Sequence, residues 1–155
     1  MSATMTMEPQ PTQVGLLHRI SGIVSSELSR DEMLGEVLGL TVQVTRCDAC
    51  LVYLIEKDTE EVVLRASLLP HQSELGSLRM KIGEGVAGWV AENESIVALP
   101  ARASSDPRFK QFSGLVEDTY EALLSVPLVS GGEGIGVINV HHCDVYRHSP
   151  EEIAL

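Results

Sequence analysis

From about Gln13 apolar residues recur at steps of three and four. Leu16, Leu17, Ile20, Ile23, Val24 and Leu28 form one stripe, which predicts an amphipathic helix. Ser29 precedes Glu32 by three residues, the spacing of a capping box, so a second helix starts there and turns Leu34, Val37, Leu38, Thr41 and Val44 inward. At Cys50 the period shortens from helical to alternating. "CLVYLIE" reads as a strand, "KDTE" as a turn and "EVVLRAS" as the partner strand of a hairpin. In "SLRMKI" apolar residues alternate with Arg79 and Lys81, the pattern of a half-exposed strand. "SIVALP" is another short strand, and "ARASSDPRFKQFSGLVEDTY" a loop holding one or two helical turns. "ALLSVPLV" and "GIGVINVHH" are strands joined by "SGGE", whose paired glycines supply the positive φ of a tight hairpin turn. "SPEEIAL" opens a last helix, with Ser149 as cap, Pro150 at its first position and Glu152 closing a capping box.

This order is not the strand–helix alternation of a parallel sheet. It predicts an α+β fold: a central antiparallel sheet of five to six strands with helices packed on one face. Residues 1–12 read as a disordered polar leader and 13–155 as a single domain. The last helix has barely a turn and a half before Leu155, too little to be stable alone, so the domain is expected to be truncated within it.

Composition narrows the function. A chain of 155 residues, 44% hydrophobic, can bury its own core, and no apolar run approaches the roughly 20 residues of a membrane helix. The first residues have neither the basic start nor the apolar stretch of a signal peptide. A net charge of −11, from 22 acidic and 11 basic residues, repels phosphate backbones and anionic lipid, so neither nucleic acid nor membrane is an expected partner. Three cysteines without framework spacing point to a reducing, cytoplasmic compartment.

Four stretches invite a chemical reading. "GEGVAG", Gly83 to Gly88, has the G-x-G-x-x-G spacing of a dinucleotide-binding turn. Its context is wrong for that role. A buried parallel strand should precede it, but "LRMKI" is charged at alternate positions, and "SIVALP" ends in proline where an acidic residue should stand. The glycines are read instead as a sharp strand-to-helix turn that lets Trp89 and Val90 pack inward. "CDAC", Cys47 to Cys50, lies between a helix and a strand, unlike a redox C-x-x-C at a helix start, and is read as packing. Adjacent His141 and His142 point to opposite faces of their strand, so no metal site is expected from them. "ASSDPRF" is a turn signal, and no catalytic set stands out.

Taken together, "IGEGVAGWVAENESIVALPARASSDPRF", "LLSVPLVSGGEGIGVINVHH" and "HSPEEIAL" resemble the GAF domain, a sensory module of signalling proteins. The resemblance implies a central antiparallel sheet, helices on one face and a small-molecule pocket on the other, with the glycines opening a short helix beside the pocket. The cyclic-nucleotide signature of some GAF domains is missing. Ala87 stands where the methionine-sulfoxide reductase type has a cysteine, and the bilin type's attachment pair is also absent. On the implied pocket face, strand alternation places Tyr53, Ser125, Asn139 and His141, with Arg102 and Phe109 supplied by a covering loop.

The expectation is a non-catalytic sensory domain that binds a small molecule, with no cofactor identified, and signals to an output domain beyond Leu155. The alternatives are a dimerisation module without ligand, a GAF-type enzyme or a bilin binder. The stripe on the first helix is wider than one sheet contact needs, and the resemblance implies a homodimer through the first and last helices.

Overall fold

The structure, a computed structural model, describes residues 29–68, 78–109 and 120–147. The leader, the helix read from Gln13 and the helix read from Ser149 lie outside the described residues.

Helix α1, Arg30–Thr45, begins at the expected capping box: Glu32 N–H donates to Ser29 Oγ, and Ser29 N–H to Glu32 Oε1, both at 3.2 Å. It ends at Arg46, whose left-handed backbone (φ 52°) returns its N–H to Val42 O. Leu34, Val37, Thr41 and Thr45 form its buried stripe. The two threonines fit there because each hydroxyl donates to a carbonyl one turn back, Val37 O and Thr41 O, at 2.7 Å.

Six strands follow: β1 Ala49–Glu56, β2 Glu61–Ser67, β3 Arg79–Lys81, β4 Val97–Leu99, β5 Ala122–Ser130 and β6 Glu133–His142. They form one antiparallel sheet in the order β3-β2-β1-β6-β5-β4. The β5–β6 hairpin turns at Gly131 and Gly132, with φ of 60° and 78°, so the "SGGE" glycines do the work their spacing predicts. At the other end, β3 is held to the sheet edge by Arg79, which bonds Glu61 at 2.8 Å and Glu56 at 3.0 Å.

Strand alternation sorts the core into two layers. On one face Cys50, Val52, Val126, Leu128, Ile138 and Val140 pack beneath Leu34 and Val37 of α1. On the other, Leu51, Tyr53, Leu64, Leu123 and Val137 meet Val86, Ala87 and Val90 of a short helix, α2, Gly85–Asn93. The long helix thus covers one face while α2 lies over the opposite one. The position of α2 follows from its entry. Edge strand β3 leads into a tight turn in which Gly83 and Gly85 take φ of 96° and 69°, and Gly83 N–H donates to Gly88 O at 2.8 Å. A Cβ on Gly88 would collide with the Lys81 carbonyl oxygen. Each glycine of the fingerprint therefore has a backbone reason, and β3 is an antiparallel edge strand. The N-cap of α2 is Glu84, whose charge opposes an anion at that helix start.

Candidate functional site

The face beneath α2 becomes polar toward the end of β6. In register, Asn139 faces Ser125 across the β5–β6 ladder and Leu51 across β1–β6, while His141 faces Leu123 and Ala49. Directly paired residues share a face. Ser125 Oγ donates to Asn139 Oδ1 at 2.6 Å, with both side chains buried. The Asn139 amide is thereby oriented, its NH₂ turned away from the serine. One position on, His141 is only 4% exposed, and its Nε2 has no hydrogen-bond partner. Burial, helped by the charge of neighbouring His142, lowers its pKa to about 4. His141 is therefore a neutral imidazole at physiological pH. Tyr120, just before β5, meets its ring edge-on at 6.4 Å between centroids.

Tyr53 lies two residues along β1 from Leu51, paired with Val137 on the same face, and is buried. Phe109 comes in from the loop and packs against that same apolar layer. Its approach is fixed by the "DPR" turn. Asp106 accepts from the Arg108 backbone N–H, Nε and Nη2 at 2.8–2.9 Å, and the guanidinium lies 4.7 Å from the centroid of the Trp89 ring on α2. Those bonds hold the Asp106 carboxyl below its usual range. The turn is thus strapped to α2, and Phe109 N–H bonds back to Asp106 O at 2.9 Å.

Arg102 stands apart. Its backbone is left-handed (φ 49°), its N–H bonds Glu121 Oε1 at 3.0 Å, and its side chain is exposed. The structure thus brings Tyr53, Phe109, Ser125, Asn139 and His141 to one face of the sheet and leaves Arg102 in solvent at the loop's start. Sequence reasoning passed over Tyr120, an aromatic residue in a loop whose contact with His141 has no local signal. It did anticipate that the two histidines diverge: His142 turns to the α1 side, with Nε2 3.2 Å from Thr45 O and its ring stacked on Tyr146 at 3.8 Å. Among the described residues no group of three His, Cys, Asp or Glu side chains could hold a metal ion.

A sequence model of the family described as GAF domain matches residues 29–155. The chain belongs to the GAF family. Solved GAF domains share the fold. One from a phosphoenolpyruvate-protein phosphotransferase of Coxiella burnetii is 27% identical, covers 92% of this chain and 84% of its own, and superposes with a TM-score of 0.76. Its counterpart from an Acinetobacter phosphoenolpyruvate-protein phosphotransferase, also 27% identical, covers 88% and 80% with a TM-score of 0.68. A free methionine-R-sulfoxide reductase of Neisseria meningitidis, solved with its substrate, is 20% identical over 91% and 79% of the two chains, with a TM-score of 0.69, a likeness of fold alone. No curated relative matches at the level of sequence. In this GAF domain the residue buried in α2 between Val86 and Gly88 is Ala87, and no described helix is long and apolar enough to cross a membrane.

Proposed function

We propose that this GAF domain is a non-catalytic regulatory module that binds a small molecule on the Asn139–His141 face and passes the signal to an attached output domain. One observation carries the reading. A buried imidazole nitrogen without a partner costs about 1–3 kcal/mol, and a ligand that bonds it recovers that energy. The oriented Asn139 amide beside it offers a second point of recognition. The described side chains of this face are uncharged, so a neutral ligand fits better than one whose charge would be buried without a counter-ion. Thermal melting against a panel of small neutral metabolites tests this. A stabilising compound is expected to lose its effect in His141→Ala, whose own midpoint stays near that of the parent. A lower ligand-free midpoint in the variant would make His141 structural instead.

The absence of turnover is proposed on the chemistry of position 87. A methyl group there offers no nucleophile for sulfoxide reduction. Incubation with free methionine sulfoxide and a reductant is expected to give no methionine. Turnover abolished by changing Cys47, Cys50 or Cys143 to Ser would sink the non-catalytic reading.

The tight packing of Leu51, Tyr53, Leu64 and Val137 beneath α2 favours a second reading, in which the domain's own side chains fill the face and its role is structural. A dimer through the helices read at residues 13–28 and from Ser149 onward is part of both proposals.

A further inference from the structure

Strand register carries one row of side chains across the sheet on the face beneath α2. Ser125 of β5 pairs with Asn139 of β6, Asn139 with Leu51 of β1, and Leu51 with Ser67, the last residue of β2. Directly paired residues share a face, so Ser67 belongs to the same surface as Asn139 and His141. The neighbouring pair agrees: Val52 and Ala66 turn the other way, into the layer beneath α1.

Ser67 differs from the other hydroxyls of the core. Ser125 donates to Asn139, and Thr41 and Thr45 donate to carbonyls of α1, whereas Ser67 Oγ is buried without a hydrogen-bond partner. His141 Nε2 is in the same condition. The two atoms belong to strands on opposite sides of β1, and Leu51, on β1, is apolar and buried. A shielded polar atom with nothing to bond is costly, and two on one face mark where a ligand could bond both.

We propose that Ser67 is a second polar contact of the ligand site, and that the ligand is an elongated neutral molecule with a hydroxyl-like group at each end and an apolar middle. This rests on the reading that a small molecule binds at Asn139 and His141. Adjacent strands lie about 4.8 Å apart, so β6 and β2 are separated by about 10 Å. One end of the ligand bonds the Asn139 amide and His141 Nε2, the other bonds Ser67 Oγ, and the carbon chain between them lies over Leu51. A compact metabolite reaches one end only and leaves the other atom unpaired. Both atoms are shielded from water in the ligand-free form, so the layer above the sheet opens as the ligand enters.

NMR titration of the full chain tests this with hexanediol, whose terminal hydroxyls stand about that far apart when extended, against hexanol, which has one hydroxyl. The His141 ring signal is identified by its loss in His141→Ala. Hexanediol should shift that signal and bind about tenfold more tightly than hexanol, the worth of one further hydrogen bond. Without a partner at Ser67 the second hydroxyl would weaken binding, since it would be stripped of water for no return. In Ser67→Ala the preference for the diol should therefore vanish. The same variant loses a hydroxyl that bonds nothing, so its ligand-free melting midpoint should be no lower than the parent's. A lower midpoint would make Ser67 structural and overturn the proposal, as would a parent that binds hexanol as tightly as the diol. A preference that persists in Ser67→Ala but is lost in His141→Ala would remove Ser67 from the site and leave the Asn139–His141 reading standing. Failure of both alcohols to move the His141 signal would also overturn the elongated ligand, while the metabolite panel decides the wider reading independently.

Discussion

His141 shows what a single buried side chain can demand of a fold. It gives up hydration, finds no protein partner at Nε2 and stays neutral because burial opposes its charged form. That has a consequence for acid stability. Its folded pKa of about 4 lies below the ordinary value of 6.5, so between these two pH values the unfolded chain binds a proton that the folded chain refuses. Stability is therefore lost as pH falls through this window, by about 3 kcal/mol for the full shift. Urea unfolding from pH 7 to pH 4 should show this loss in the parent, and His141→Ala should remove about one proton's worth of slope. Equal slopes would mean that His141 is protonated inside the folded domain. Strand alternation, applied to the pocket face that the GAF resemblance implies, put His141, Asn139, Ser125 and Tyr53 together, because the side-chain period of a strand is two and "SVPL" and "VINVHH" have no interruption. Arg102 could not be placed in that way. It sits in a loop, where the direction of a side chain depends on one backbone angle, and the left-handed φ at Arg102 sends its side chain to solvent.

Among the elements, α2 and its glycine entry tie sequence to architecture most closely. The turn works because Gly88 has no side chain to strike the Lys81 carbonyl. Gly88→Ala should cost about 1–3 kcal/mol by overpacking, read as a lower denaturation midpoint with an unchanged urea dependence. A neutral outcome would mean that α2 can slide away from β3. The spacing in "GEGVAG" was enough to predict a turn into a helix, and the Ser29–Glu32 capping box and the paired glycines of "SGGE" located two further boundaries. The face that α2 covers was harder to read, since its nine residues carry too few turns for a clear stripe. It is settled by contacts between distant segments, such as Trp89 with Arg108, which leave no local trace.

For the whole molecule, the proposed dimer gives the clearest test. The stripe from Leu16 to Leu28 offers more apolar width than one contact uses, so Leu17→Glu or Val24→Glu should weaken self-association while the sheet core stays folded. Sedimentation of a parent that remains monomeric at high micromolar concentration would exclude the dimer. The topology adds a different consequence, one of timing. The centre of the sheet is the junction of β1 with β6, where Ala49 pairs with His141, so its two halves lie far apart along the chain. During synthesis the β1–β2 hairpin emerges first and must wait, with the inner edge of β1 open, until β6 has left the ribosome. Closure of that long loop should set the folding rate, and the interval before it is when a newborn chain is most prone to pair with its neighbour.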